Sequence, residues 1–258
     1  MKRKAKEKKE KEKIILPYEK EQEQEHAYYH VIIALANSIE ARDSYTISHT
    51  LRVTRIAESI AKYIDWSKDK IKQIRLGGIL HDIGKIGIKD TILQKPGKLT
   101  LREKEEMQKH PEIGANLVKK IKFLKPVIPF ILSHQERFDG KGYPYKLKGK
   151  QIPIEGRLMA VADAFDAMTS NRPYRKAMDR EKALQELISN KGKQFDPEMV
   201  DAFCDLYKKG TIGLILDKFK QKNTMHLCTF CSSIKSLKGS KTGNSFFSCP
   251  GCGEIRKY

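Results

Sequence analysis

Apolar residues recur at spacings of three and four along most of this chain, which is the pattern of amphipathic helices. In the first stretch, residues 18–42, the stripe includes Val31, Leu35 and Ile39. The same spacing returns in residues 47–64, 68–80, 101–110, 111–121, 127–133, 157–168, 180–190 and 197–208. Because strand-like alternation is nearly absent before residue 225, we predict an all-α bundle.

Composition divides the chain into three parts. Residues 1–17 are a basic N-terminal tail, whose first thirteen residues alternate Lys and Glu with almost nothing to bury. Residues 18–216 carry the helical pattern. Residues 224–258 are rich in Lys, Ser and Gly and contain paired cysteines, with residues 218–223 as the linker. The predicted organisation is therefore one helical domain followed by a small C-terminal module.

The 258 residues carry a formal net charge of +19, and the excess is spread over the whole chain. It suits a protein that meets anionic ligands, but a Lys-rich solvated surface explains it equally well. The longest apolar runs, such as residues 126–132, are much shorter than the ~20 residues that cross a bilayer. The tail also lacks the apolar stretch of an export signal, so we expect a cytoplasmic protein without a membrane partner.

Four histidines and two aspartates lie in or beside the predicted core helices. They are His49, His81, Asp82, His110, His134 and Asp163. A single histidine at a helix edge is more often a structural residue, but buried charges are costly unless they are paired or bind a metal. Four histidines with two acids therefore favour a metal site, and mixed imidazole and carboxylate ligands suit a transition metal of intermediate hardness.

The stretch from His81 to Lys85 is the most informative part of this set. The adjacent Asp82 carboxylate could hold two neighbouring ions, one with each oxygen. Gly84 would leave room for a ligand near the backbone. Lys85 would place a fixed positive charge where a phosphate oxygen would bind.

Five segments between residues 35 and 207 together resemble the HD-GYP phosphodiesterases. In order they are residues 48–53, 81–85, 110–111, 134–144 and 161–175. The resemblance implies a helical HD fold with two or three metal ions, often iron or manganese. It also implies hydrolysis of cyclic di-GMP to linear pGpG or to GMP.

The resemblance carries individual roles over to this sequence. The implied metal ligands are His49, His81, Asp82, His110, His134 and Asp163, with Asp82 and Lys85 at the reacting centre. Lys85, Tyr143, Arg172 and Arg175 would touch the substrate. Two ions would activate a water for attack on phosphorus, and Tyr143 would stack on the guanine or ribose for roughly 1–3 kcal/mol. A rigid turn between helices is the alternative reading of the loop around Tyr143.

Two positions depart from the family pattern. Gln135 stands where the family usually has a second histidine, and Tyr45 stands where members with three metals carry a carboxylate. We therefore expect two divalent ions. Two alternatives stay open: a cyclic di-GMP receptor that has lost turnover, and an HD hydrolase of another phosphoester that the C-terminal module recruits to nucleic acid.

The C-terminal module contains two CxxC pairs separated by seventeen residues. The four cysteines are Cys228, Cys231, Cys249 and Cys252. This spacing predicts a zinc ribbon with one structural zinc; two disulfides are the alternative, without an export signal to support them. Its basic and aromatic residues could contact nucleic acid or an acidic protein, or form only a soluble surface. The sequence leaves open whether the chain forms a homodimer.

Overall fold

The computed structural model describes residue 28, residues 31–36, 38–39, 41–42, 48–171 and 176–220, and the backbone of four short strands between residues 225 and 257. Residues 31–36, 38–39 and 41–42 are helical. The later helices are α1 Ser48–Tyr63, α2 Lys68–Leu80, α3 Asp90–Leu93, α4 Leu101–Met107, α5 His110–Val118, α6 Ile128–Ser133, α7 Ile154–Thr169, α8 Arg180–Ser189, α9 Pro197–Lys208 and α10 Thr211–Lys220. Three 3₁₀ turns, η1 Ile83–Gly87, η2 Lys122–Val127 and η3 Gly149–Gln151, lie between them. The predicted helical bundle is confirmed.

Helix α1 lies at the centre of the bundle. Val53, Ile56, Ala57 and Ile60 follow helical spacing and are fully buried. The helix packs against α2, α7, α9 and α10. Because burying one such side chain contributes about 1.5–3 kcal/mol, this stripe is a main source of the energy that fixes α1 in place.

The turn η1 packs unusually closely on α5, and Gly84 makes this possible. A Cβ atom at Gly84 would lie 1.8 Å from the carbonyl oxygen of His110 and 2.5 Å from the amide nitrogen of Gly114. Our expectation that Gly84 leaves room for a ligand was therefore wrong, because the backbone of α5 fills that space. The glycine instead brings the His81–Asp82 pair against the start of α5.

Helix α10 continues through residue 216 to Lys220, so the first residues of the predicted linker are helical. Its buried residues Ile212 and Leu216 lie beyond the last predicted helix, residues 197–208. None of the described helices is long and apolar enough to cross a membrane.

The chain divides into two units, residues 35–222 and residues 1–34 with 223–258. In the second unit, β1 Met225–Leu227 pairs antiparallel with β2 Ile234–Ser236, and β3 Phe246–Ser248 pairs antiparallel with β4 Ile255–Lys257. The cysteines Cys228, Cys231, Cys249 and Cys252 lie outside the described residues, so the zinc site stays a prediction.

Candidate metal centre

The fold brings all six predicted metal ligands together. His49 lies in the first turn of α1, His81 and Asp82 follow α2 directly, His110 begins α5, His134 follows α6, and Asp163 lies in α7. The four histidines are buried and the two aspartates are partly exposed. Residues separated by more than a hundred positions thus share one pocket.

Asp82 lies between two sets of imidazoles. Its Oδ1 atom is 3.3 Å from His110 Nε2 and 3.6 Å from His134 Nε2, and its Oδ2 atom is 3.3 Å from His81 Nε2. Beyond His81, the Nε2 atom of His49 lies 3.5 Å from Asp163 Oδ1. Asp82 therefore presents one oxygen to each half of the centre.

The tautomers of three imidazoles are fixed by backbone carbonyl groups. The Nδ1 atom of His81 lies 2.7 Å from the carbonyl oxygen of Gly78. The Nδ1 atom of His110 lies 2.8 Å from the carbonyl oxygen of Met107, and that of His134 lies 2.8 Å from the carbonyl oxygen of Ile131. These carbonyls lie in the last turns of α2, α4 and α6, where helical backbone leaves acceptors unpaired. Since a carbonyl only accepts, each Nδ1 carries the hydrogen and each neutral ring offers a lone pair at Nε2.

The Nε2 atoms of these three imidazoles converge around Asp82. His110 Nε2 and His134 Nε2 are 3.3 Å apart, and two acceptors at this distance repel unless a proton or a metal ion lies between them. His81 Nε2 is buried and has no hydrogen-bond partner, which is costly for a buried polar atom. The donor set thus fits divalent cations.

Two groups of ligand atoms are compact enough to hold an ion. The first is His49, His81 and Asp163, and the second is His81, Asp82 and His134; within each group the ligand atoms lie within 4.8 Å of one another.

The field in the pocket favours positive charge. Burial by itself lowers the pKa of His81, but the carboxylates of Asp82 and Asp163 outweigh it and raise that pKa to about 9. Burial by itself raises the pKa of Asp82, but Lys85 and His81 hold it well below its usual value. The same carboxylates that attract a proton to His81 would attract a metal ion there.

Lys85 and Tyr143 both lie at the centre. Lys85 Nζ is 2.8 Å from Asp82 Oδ2. The ring of Tyr143 meets that of His110 edge to face, with centroids 6.1 Å apart. Burial and then the charges of Asp82 and Asp163 raise the pKa of Tyr143, so its phenol stays a hydrogen-bond donor at physiological pH.

The loop that carries Tyr143 is held to the residues after His134. The amide N–H of Tyr143 donates to the carbonyl oxygen of Gln135 over 3.2 Å. The buried Glu136 carboxylate accepts from the amides of Tyr145 at 2.7 Å and Leu147 at 3.1 Å. A Cβ atom at Gly142 would lie 2.3 Å from the amide nitrogen of Arg137. This loop is therefore a packed structure whose geometry sets the position of Tyr143.

Sequence reasoning missed two residues at the centre, Asp166 and Arg52. Asp166 is fully buried in α7, and its Oδ2 atom is 2.7 Å from Nδ1 of His49. Arg52 Nε lies 2.5 Å from Asp166 Oδ1. Both residues lie within the segments that resemble the family, residues 48–53 and 161–175, and Asp166 follows Asp163 by three residues on the same helix face. Arg172, Arg175 and Tyr45 lie outside the described residues, so their roles stay predictions.

A comparison with protein families identifies the family of the helical unit. A family model described as HD domain matches residues 34–199. This range contains all six residues of the centre and most of the described bundle.

Named relatives match the same region. A cyclic di-GMP phosphodiesterase response regulator of Xanthomonas campestris pv. campestris is 42% identical over 170 residues, which cover 65% of this chain and 45% of the relative. A cyclic di-GMP phosphodiesterase of Thermotoga maritima is 41% identical over 200 residues, or 77% of this chain and 54% of that protein. A 3'3'-cGAMP-specific phosphodiesterase of Vibrio cholerae is 38% identical over 177 residues, or 68% and 34% of the two chains. The chain spans about a third to a half of the length of these relatives.

Solved structures share the helical fold. A cyclic GMP-AMP specific phosphodiesterase of V. cholerae superposes with a TM-score of 0.59 at 20% identity, over 75% of this chain and 51% of that chain. An HDG"Y"P protein of Bdellovibrio bacteriovorus gives 0.51 at 23% identity, over 72% and 62%. The predicted HD fold is thus confirmed.

Proposed function

This chain belongs to the HD domain family, and from that premise we propose that it is a phosphodiesterase of the HD-GYP type that hydrolyses cyclic di-GMP to linear pGpG or GMP. The observation that carries the proposal is the position of Asp82. One carboxylate oxygen faces His81, and the other faces His110 and His134. A carboxylate flanked in this way is suited to bridge two divalent ions.

The names of the relatives support this substrate. Two of them are called cyclic di-GMP phosphodiesterases, and a third is named for 3'3'-cGAMP. Both compounds are cyclic dinucleotides with two phosphodiester bonds, so the same centre could act on either. We assign cyclic di-GMP as the substrate and use 3'3'-cGAMP as the competitor in the test below.

Iron or manganese ions bound here would polarise the phosphoryl group and lower the pKa of a water molecule. His49, His81 and Asp163 would hold one ion, while His110 and His134 would hold the other. Asp82 would ligate both. Imidazole nitrogen and carboxylate oxygen ligands suit iron and manganese better than thiolate ligands do.

Other side chains would act on the substrate directly. The Lys85 ammonium, next to Asp82, would offset negative charge that develops on the phosphate oxygens. The protonated Tyr143 would donate to the substrate or pack against a base. Arg172 and Arg175, three residues apart, would bind the second phosphate.

We also propose that residues 224–258 form a zinc ribbon with one structural zinc on four thiolates. The ligands would be Cys228, Cys231, Cys249 and Cys252. Its function would be to contact an acidic protein or nucleic acid. Closed four-cysteine coordination leaves no open position for catalysis, so the ribbon would not take part in hydrolysis.

A second candidate, a cyclic di-GMP receptor without turnover, is favoured by Gln135. This residue is half-buried directly beside His134, where a neutral amide replaces a possible imidazole ligand. The second ion would then be held by fewer strong ligands.

Elemental analysis of anaerobically purified protein, followed by a product assay, tests both candidates. The proposal predicts about two iron or manganese ions per chain and linear product from cyclic di-GMP. Binding of cyclic di-GMP without product would favour the receptor. Product from 3'3'-cGAMP alone would contradict the assigned substrate, and failure of both dinucleotides to compete would favour another phosphoester.

A further inference from the structure

His49 is oriented by a carboxylate, unlike the other three imidazoles. Its Nδ1 atom lies 2.7 Å from Asp166 Oδ2, in place of a carbonyl oxygen from its own chain segment. Asp166 also accepts two hydrogen bonds from Arg52. Arg52 Nε lies 2.5 Å from Asp166 Oδ1, and Arg52 Nη2 lies 3.0 Å from Asp166 Oδ2. The carboxylate is therefore held between a proposed metal ligand and a guanidinium.

A carboxylate behind an imidazole has a known physical effect. It fixes the ring with the hydrogen on Nδ1 and increases the electron density at Nε2, which makes the imidazole a stronger ligand. The bidentate Arg52 fork sets the plane of the carboxylate and balances its buried charge. Asp166 thus has the geometry of an outer support for a metal site.

The same group also contacts Ser170, which precedes the first predicted substrate arginine by two residues. Arg52 Nη2 donates to Ser170 Oγ over 2.8 Å, and Ser170 directly precedes Asn171. Asn171 Oδ1 accepts the amide N–H of Ala177 over 2.8 Å, and Met178 N–H donates to the carbonyl of Met168 over 2.8 Å. Ser170 is therefore held by Arg52, and Ala177 and Met178 are held by Asn171 and Met168 at the end of α7.

We propose that Asp166, Arg52 and Ser170 form a positioning network that holds His49 ready for a metal ion and ties this half of the centre to the segment with Arg172 and Arg175. This inference rests on the proposed function. These three residues do not touch the reacting atoms; they act through His49 and through the substrate-binding segment.

The metal part of the proposal is tested with Mn²⁺ alone, titrated calorimetrically into metal-free full-length protein. Asp166→Asn keeps the shape of the side chain but removes its charge, and we expect a 10- to 100-fold weaker Mn²⁺ affinity. The matched control is Asp196→Asn. Asp196 is also a buried carboxylate paired with an arginine, Arg157. It differs from Asp166 in that it caps the start of α9 and, among the described residues, contacts none of the proposed metal ligands. The control should bind Mn²⁺ as the wild type does.

A second measurement keeps the test valid if Asp166→Asn loses stability. Long-range ¹H–¹⁵N spectra of the metal-free protein report the tautomer of His49. The wild type should show hydrogen on Nδ1 only, and the variant should show a shift towards a mixture. Unchanged Mn²⁺ affinity together with an unchanged His49 tautomer in Asp166→Asn would overturn the proposal.

Ser170→Ala tests the link to the substrate segment. The variant loses the hydrogen bond from Arg52 and the longer one, 3.3 Å, from Ser170 Oγ to Asp166 Oδ2. The KM for cyclic di-GMP should rise by about 2- to 10-fold, while Mn²⁺ affinity should fall much less than in Asp166→Asn. An unchanged KM would overturn the link. Because the Mn²⁺ titration needs no turnover, failure of this network and failure of the proposed activity give different results: a wild type that binds Mn²⁺ but does not hydrolyse the dinucleotide contradicts only the activity.

Discussion

The four imidazoles of the centre are positioned by two different means. His81, His110 and His134 each point Nδ1 at a carbonyl three residues earlier in the chain. His49 points Nδ1 at Asp166, which is 117 residues later in the chain. Local orientation follows from how a helix ends, whereas the orientation of His49 exists only after α1 has packed on α7. The position of His49 should therefore be more sensitive to single side-chain changes than the positions of the other three rings.

The largest effect is expected at Asp82, which both halves share. Asp82→Ala removes the carboxylate that lies between His81 on one side and His110 and His134 on the other. We expect loss of both ions and of detectable turnover, measured by elemental analysis and by product formation from cyclic di-GMP. Full activity with two ions retained would contradict the shared role.

The Glu58 carboxylate on α1 tests how much arginine pairing contributes to stability where no metal ligand is involved. Burial by itself raises the pKa of Glu58, but hydrogen bonds from Arg75 and Lys62, with the nearby charge of Arg55, lower it to about 2 from 4.5. The folded state then gains stability above about pH 4.5 and loses it as the pH falls towards 2.

The pH dependence of Glu58→Gln measures this contribution. At pH 7 its free energy of unfolding should be about 2–3 kcal/mol below that of the wild type. The difference should shrink as the pH falls from 4.5 towards 2, while metal content at pH 7 stays that of the wild type. Denaturant unfolding at several pH values provides the data, and a difference that does not depend on pH would contradict the ion-pair account.

The proposed substrate-binding role of Arg172 is tested by a separate substitution. Arg172→Gln removes a charged donor, so the KM for cyclic di-GMP should rise by about 10-fold or more. The metal content should stay at that of the wild type. Loss of metal in this variant would show that the arginine supports the centre rather than the substrate.

The smallest effect is expected at an imidazole oriented by the backbone. Met107 contributes its carbonyl oxygen, 2.8 Å from His110 Nδ1, so its side chain is not part of the contact. Met107→Leu should therefore leave Mn²⁺ affinity within about 2-fold of the wild type, since such a swap nearly conserves volume. A loss as large as that of Asp166→Asn would remove the distinction between the two means of orientation.

The same distinction explains what the sequence could predict. Helical spacing identified α1, α2 and α4 to α9, because their apolar residues repeat regularly. The six ligand candidates were recognisable as histidines and acids in apolar surroundings and from the family motifs. Residues that act through tertiary contacts were not recognisable from the sequence. Asp166 and Arg52 are polar residues on helices, and the partners of their side chains come from the other half of the domain.

Gly84 illustrates a different limit. A glycine next to a predicted site is compatible with ligand access or with close packing, and only the position of α5 decides between them. Here the His110 carbonyl occupies the space that a Cβ atom would need. Helix α10 was missed because its short apolar run was followed at once by the polar stretch taken as a linker.

Anomalous diffraction from crystals grown with Mn²⁺ tests the central claim most directly. The account predicts two peaks flanking Asp82, each about 2 Å from the Nε2 atoms of its imidazoles. One peak should lie near His49 and His81, and the other near His110 and His134. Manganese bound away from these four rings, or bound through their Nδ1 atoms, would contradict it.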